Sequence, residues 1–157
     1  MDINEERMVQ CLEIVGEAYE TADFSTLLEN ISDDCRWDSQ WVIEPRIGKQ
    51  VLTEYYTNKG RAMQEGISIV TTRIIRFTGG LGHVRPNQLF INGEKCPPNS
   101  ACGIYVPPGT LALLSLQTLE DGSIWVAIKI GLDESGKISK IDLNDPDMYG
   151  PYEKYRA

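Results

Sequence analysis

The 157-residue sequence contains no long apolar run. A membrane-spanning helix needs roughly 18 or more consecutive apolar residues, and no segment approaches that length. The first residues, Met1 to Arg7, are polar and acidic rather than basic and then apolar, which argues against a secretory signal. We therefore expect a cytoplasmic protein with no membrane partner.

Clustered basic charge is also lacking. The chain has 15 Lys and Arg residues against 23 Asp and Glu residues, for a formal net charge of -8. Proteins that bind nucleic acid carry Lys and Arg in patches that neutralise phosphates, and this sequence has no such patch. We expect no nucleic-acid partner.

Metal and cofactor motifs are absent as well. The four cysteines lack CxxC spacing, and the sequence has no glycine-rich phosphate loop and no clustered histidines and carboxylates. We therefore predict no metal and no cofactor. Cys11 and Cys35 are expected to be free thiols. Cys96 and Cys102 flank a proline-containing turn, so a disulfide between them is the alternative to two further thiols.

Length and composition are those of one folded unit. Hydrophobic residues make up 41% of the chain and charged residues 24%, close to the average for globular proteins. We expect a single domain over residues 1–157.

Apolar residues at helical spacing predict three helices in the first part of the chain. The first runs from Asn4 to about Thr21, a second and shorter one carries Phe24 to Ile31, and the third follows Gly48 and ends before Gly66. Between the second and third helices, the pattern predicts a turn at 32–34, a strand over 35–41 and a connector over 44–48.

From Ile67 onward the pattern changes to β-branched runs broken by Gly and Pro, which predicts strands. The last three strands are separated by short polar turns and should form an antiparallel meander. Helices first and strands after is the order of an α+β protein. The predicted strands cover about 67–77, 84–91, 103–106, 110–119, 124–132 and 138–143.

Several motifs resemble one family. They are Ala22-Asp23-Phe24, the segments 32–35, 44–48 and 52–56, and the later segment 131–138. Together they resemble the ketosteroid isomerase and SnoaL-like polyketide cyclase branches of the nuclear transport factor 2-like superfamily. The resemblance implies a cone-shaped, cystatin-like fold in which three N-terminal helices pack on a curved antiparallel sheet around an apolar pocket.

The resemblance implies that the cone binds a small apolar or aromatic molecule. Isomerase, cyclase and hydrolase chemistries occur in the superfamily, and none is singled out here. The isomerase base falls on Ser39, its oxyanion Tyr on Val15 and its oxyanion Asp on Ile128, and these side chains cannot perform those roles. We therefore do not expect steroid isomerisation. The alternative is a non-catalytic binding or oligomerisation module.

Five residues are predicted to contact the ligand. Strand alternation places Trp37, Ser39 and Trp41 on one face, predicted to be the inner one, and turns Asp38 with its even-numbered neighbours outward. Two tyrosines on the packing faces of the first and third helices complete the set. The alternative is that the aromatic side chains are only core. The predicted ligand-binding residues are Tyr19, Trp37, Ser39, Trp41 and Tyr56.

Features outside the cone have ordinary interpretations. The lone histidine, His83, has no placed partner for catalysis, and the irregular segment Gly79 to Gly109 is a binding loop or an oligomer contact. Lys140 and Asp142 alternate with apolar residues, which is typical of a solvated strand face. Trp125 is expected to point outward and to anchor a homodimer.

Overall fold

The computed structural model describes residues 3–66, 68–79, 90–91, 94–95 and 104–156. The helices are α1 (Ile3–Thr21), α2 (Ser25–Glu29) and α3 (Lys49–Glu65), and a 3-10 turn covers Pro146–Met148. The strands are β1 (Ile31–Ser39), β2 (Val42–Ile47), β3 (Ile69–Phe77), β4 (Phe90–Ile91), β5 (Glu94–Lys95), β6 (Leu111–Leu119), β7 (Gly122–Leu132), β8 (Ile138–Asn144) and β9 (Tyr152–Lys154).

Seven of the strands form one sheet in the order β2-β1-β8-β7-β6-β3-β9. The meander β6-β7-β8 is antiparallel, as predicted, whereas β1 and β8 pair in parallel. Helix α1 packs over β3 and β6, and α3 packs over β1 and β2. The α+β class and the three N-terminal helices are thus confirmed.

The two faces of the sheet carry two separate apolar cores. The larger core lies between the helices and the inner face, where Trp37, Ile128 and Ile141 pack against residues such as Leu12 and Leu52. The smaller core lies on the outer face, where residues 104–106 and Tyr149 cover the strands. Its buried members are Ile75, Phe77, Val106, Ala112, Leu114, Ala127 and Tyr149.

The region between α2 and α3 is a hairpin of two strands, β1 and β2. The sequence had predicted a turn, a single strand and a connector there. The predicted turn at 32–34 lies within β1, because Ile31 and Cys35 are buried core residues and β1 pairs with β8. The predicted connector at 44–48 is mostly strand β2. Pro45 is tolerated there because β2 is the edge of the sheet, where a missing N–H breaks no ladder.

Close packing of the helices depends on a glycine. A Cβ added to Gly60 on α3 would lie 2.7 Å from the backbone oxygen of Ala22, in the turn that joins α1 to α2. No side chain is accommodated at that distance without moving backbone atoms. Gly60 therefore sets how closely α3 approaches this turn.

In the described part of the chain, no helix combines the length and apolar character required to cross a bilayer. Cys11 and Cys35 are free and buried. The predictions for His83 and for the Cys96–Cys102 pair concern residues outside the described ranges. The same holds for most of the Gly79–Gly109 segment and of the strand predicted over 84–91.

Candidate functional site

An aromatic cluster fills the inner face of the cone beneath α1 and α3. Tyr19 on α1 meets Phe24 and Tyr56 edge-on, with ring centroids 5.2 and 6.2 Å away. Phe24 stacks on Tyr56 at 4.7 Å, and Trp37 on β1 lies 4.9 Å from Tyr55. Three of the five predicted site residues, Tyr19, Trp37 and Tyr56, therefore belong to one contiguous cluster.

Hydrogen-bond donors lie inside this aromatic cluster. The hydroxyl oxygens of Tyr19 and Tyr56 are 3.3 Å apart, so one donates to the other. Burial raises the pKa of both hydroxyls, and both are neutral at physiological pH. Nε1 of Trp37 lies beside the pair and lowers the pKa of each, yet this N–H has no hydrogen-bond partner of normal geometry among the described residues.

Two cations border the cluster. The guanidinium carbon of Arg46 lies 4.5 Å from the ring centroid of Trp37 and 4.1 Å from that of Tyr55. The amine of Lys59 lies 5.7 Å from the ring centroid of Tyr19. Burial lowers the pKa of Lys59, and the nearby charge of Arg46 lowers it further. In the described structure neither cation forms an ion pair, and Nη1 of Arg46 is buried without a hydrogen-bond partner.

Several apolar residues that pack against the main core beside the aromatic cluster are only partly buried. Val126 pairs with Ser115 on the face that carries the main core, and it is only partly buried. Val42, Val70, Tyr55 and Met63 also pack against this core and keep part of their surface exposed. These five residues define what we call the mouth of the cone.

Two of the predicted site residues lie at the end of β1. Ser39 is buried, and its hydroxyl accepts a hydrogen bond from the backbone N–H of Trp41. The predicted inward position of Trp41 is wrong, because Trp41 is 49% exposed. Ser39 pairs with Val42, so Gln40 and Trp41 form the two-residue turn of the β1-β2 hairpin and strand alternation ends at Ser39.

On the outer face, Trp41 lies in a groove together with Trp125, and this groove has a volume of about 480 Å³. Trp125 is 44% exposed, which agrees with its predicted outward position. The remaining lining residues are Ser123, Ile124, Asp145, Pro146, Asp147 and Tyr152. This groove is called the tryptophan groove below.

Two acidic residues predicted to face solvent are buried instead, whereas Arg36 and Lys140 from the same prediction keep part of their surface exposed. Asp38 points away from Trp37, as alternation requires, but it is 3% exposed. Asp142 is 5% exposed, so its assignment to a solvated face is wrong. Tyr149 lies beside Asp142 and is hydrogen-bonded to its neighbour Asn144, a covering segment that strand periodicity alone does not reveal.

Two further clefts involve other surfaces. One of about 340 Å³ lies between α2 and α3 and includes Tyr56. Another, of about 610 Å³, lies near the start of α1 and is bordered by Met8, Leu111 and Ile130. None of the five predicted site residues borders the larger cleft.

Positions that carry catalysis in the isomerases are core positions here. Val15 and Ile128 are fully buried among apolar residues. Within the described ranges, no group of three or more His, Cys, Asp or Glu residues is arranged to hold a metal ion. The inner face instead offers phenol and indole donors, a guanidinium and an amine.

Helices on the inner face of a curved, mostly antiparallel sheet define the nuclear transport factor 2-like, or cystatin-like, fold. The chain has this fold. A protein from Silicibacter pomeroyi DSS-3 with a cystatin-like fold is 14% identical, with a TM-score of 0.52 over 99% of this chain and 77% of its own.

Two further structures are similar. A nuclear transport factor 2-like protein of unknown function from Mesorhizobium loti is 12% identical, with a TM-score of 0.55 over 92% of this chain and 94% of its own. A protein from Xanthomonas campestris pv. campestris, provisionally assigned as a polyketide cyclase, is 12% identical, with a TM-score of 0.51 over 90% and 91%. No protein-family model matches the sequence, and no curated protein matches it.

Sequence reasoning missed Arg46 and Lys59. Arg46 lay in the segment interpreted as a connector, where the side chain has no assigned face. Lys59 follows Tyr55 by four residues, so helical spacing places both on the same side of α3. That spacing was the available signal for Lys59.

Proposed function

We propose that the chain binds a small aromatic or apolar molecule at the mouth of the cone, against Trp37, Tyr55 and Tyr56. The observation that carries the proposal is the indole N–H of Trp37, which has no acceptor of normal geometry among the described residues although the side chain is only 2% exposed. A buried donor without a partner costs about 1–3 kcal/mol, so such groups in native proteins call for a specific explanation. A hydrogen bond from this N–H to an oxygen atom of a bound ligand is such an explanation.

The hydrogen-bond inventory favours a ligand that accepts. The hydroxyls of Tyr19 and Tyr56 share one hydrogen bond, which leaves the second hydroxyl proton free to donate. With the Trp37 N–H, the cluster has two donors to offer. Aromatic walls around a few convergent polar groups are typical of small-molecule sites.

Chemistry on the bound molecule is an extension of this proposal. One structurally similar protein is provisionally assigned as a polyketide cyclase. A cyclase, isomerase or hydrolase acting here would have neutral phenols and an indole next to the substrate oxygen, since no carboxylate occupies Val15, Ser39 or Ile128.

A neutral fluorescent probe tests binding. N-phenyl-1-naphthylamine brightens in apolar surroundings, and we expect saturable binding with one site per chain. Val126→Phe should weaken the binding at least about tenfold because the larger side chain narrows the mouth. Val51→Phe is the matched control, since Val51 is exposed on α3 and should tolerate the same change. Absence of saturable binding, or equal binding by both variants, would contradict the proposal.

A non-catalytic association module is the second candidate function. It is favoured by the tryptophan groove, where Trp41 and Trp125 expose large aromatic surface. Aromatic residues of this kind are common at the centres of protein interfaces.

A further inference from the structure

We infer that the molecule bound at the mouth is an anion, specifically an aromatic carboxylate whose charge lies between Arg46 and Lys59. This inference rests on the proposed function, since it names the class of ligand for the same site. It is carried by two neighbouring cations that lack a carboxylate partner within the described structure.

Arg46 is held in place before any ligand arrives. Its guanidinium lies over the faces of Trp37 and Tyr55 at 4.5 and 4.1 Å from the ring centroids. Cation–π contacts of this kind fix the plane of the guanidinium and leave its edge available for hydrogen bonds. Nη1 on this guanidinium is buried and has no hydrogen-bond partner among the described residues. A carboxylate oxygen is the acceptor that matches this group best.

Lys59 adds a second positive charge to the same region. Its amine lies over Tyr19, and burial together with the charge of Arg46 lowers its pKa. Two like charges that disfavour each other are stabilised when an anion enters between them. Glu44, the nearest acidic residue to Arg46 along β2, is exposed and forms no ion pair with it.

Arg46 differs from two other arginines, which form ion pairs with carboxylates. Arg36 pairs with Asp38 at 2.7 Å, and Arg76 pairs with Glu5 at 2.5 Å. The chain has eight more acidic than basic residues, so acidic partners are plentiful. In the described structure, nevertheless, none of them forms an ion pair with Arg46 or Lys59.

The walls of the site indicate the rest of the ligand. Trp37 and Tyr55 form an aromatic surface beneath Arg46, and Val126 and Met63 add apolar surface at the mouth. A flat ring packed against the exposed part of Tyr55 and these apolar side chains, with one carboxylate directed at Arg46 and Lys59, uses both kinds of contact. A small inorganic anion would leave the aromatic surface uncovered.

The test compares two probes of equal shape and different charge. Titration calorimetry at low salt measures 2-naphthoate and its neutral analogue 2-naphthamide on the purified chain. We expect naphthoate to bind about tenfold or more tightly than naphthamide, with the preference declining as salt is added. Lys59→Met and Arg46→Met should each reduce that preference to less than about threefold. Arg61→Met, on the same helix and exposed, should keep it.

The outcomes separate the two proposals. If naphthamide binds as tightly as naphthoate, the anion inference is overturned and the binding function stands. If neither naphthoate, naphthamide nor N-phenyl-1-naphthylamine binds, both fail. An unchanged preference in Lys59→Met and Arg46→Met would place the anion contact elsewhere and overturn the inference.

A second measurement reports on the wild-type chain itself. Reductive methylation with carbon-13 reports the pKa of Lys59 by NMR in the wild-type chain, and Lys59→Met identifies its signal. Naphthoate at saturation should raise that pKa because an adjacent anion favours the charged amine. An unchanged Lys59 pKa in the bound state would refute the inference.

Discussion

Asp38 and Asp142 lie directly opposite each other on the parallel strands β1 and β8, and both are buried on the outer face of the sheet. Arg36 forms an ion pair with Asp38, whereas Asp142 accepts a hydrogen bond from Asn144 at 3.4 Å. Burial raises the pKa of Asp142, and the charge of Asp38 adds to this while nearby lysines oppose it. The ionised form of Asp142 is thus disfavoured by folding.

Asp142→Asn should stabilise the protein at neutral pH. A folded-state pKa above the unfolded value means that the native state binds the proton more tightly, so stability is lost as pH rises from the ordinary aspartate range through the raised pKa. Removing the charge should raise the free energy of unfolding by on the order of 1 kcal/mol at pH 7, and this increase should vanish below about pH 4. Urea denaturation at several pH values measures this. Asp121→Asn, in an exposed turn, is the control and should change little; a less stable Asp142→Asn protein at pH 7 would contradict the prediction.

The Tyr19–Tyr56 pair should behave as one energetic unit. Each single change to Phe removes the shared hydrogen bond and leaves the other hydroxyl buried, which should cost about 1 kcal/mol or more. The stability loss of the double variant should be smaller than the sum of the two single losses by at least about 0.5 kcal/mol, because the shared hydrogen bond is lost only once. Urea denaturation of the four proteins gives the coupling, with exposed Tyr105→Phe as a neutral control. Strictly additive costs would show that the hydroxyls do not interact.

The tryptophan groove should mediate a homodimer. Trp41 and Trp125 supply exposed aromatic surface, and a stable interface should bury more than about 1,000 Å² in total. We expect a dimer by sedimentation at micromolar concentration and a folded monomer for Trp125→Glu. Ile69→Glu alters another exposed apolar residue outside the groove and should remain dimeric. A monomeric wild-type chain, or a Trp125→Glu dimer, would rule this interface out.

Gly60→Ala should destabilise the protein although alanine is the better helix former. The added Cβ would lie 2.7 Å from the backbone oxygen of Ala22, and backbone cannot move aside cheaply. We expect a net loss of about 1–3 kcal/mol, which is the usual cost of overpacking. Gly16→Ala is a graded comparison, because its Cβ would meet the Thr72 hydroxyl at 2.8 Å, and a side chain can rotate. A more stable Gly60→Ala protein would contradict this.

Periodicity was enough to predict the helices and the last three strands. The apolar spacing of residues 4–21 and the polar turns at 120–123 and 133–137 are local signals, and the structure agrees with them. The start of β1 was missed because Ser32, Asp33 and Asp34 have turn chemistry, although they lie within a strand whose residues on either side, Ile31 and Arg36, pair with β8. Local propensity is overridden where tertiary pairing is strong.

The site was predicted only in part, for a similar reason. Tyr19, Trp37 and Tyr56 follow from their helix and strand faces, and they do cluster. Trp41 was misplaced because alternation was extended one residue too far, into the turn that follows Ser39. Arg46 became visible only when β2 was paired with β1, since that pairing places Arg46 opposite Trp37.

The central position of β8 also constrains how the chain acquires its structure during synthesis. β8 lies between β1 and β7, and Trp37 is aligned with Ile141 across a long sequence separation. Until the ribosome has released β8, the β1-β2 hairpin has no neighbouring strand in the sheet. The apolar sides of α1 and α3 then lack part of the sheet face on which they pack. Long-range strand pairing that forms late slows folding, and it leaves apolar surface exposed to other nascent chains. Chaperone dependence should therefore persist until β8 has emerged from the ribosome.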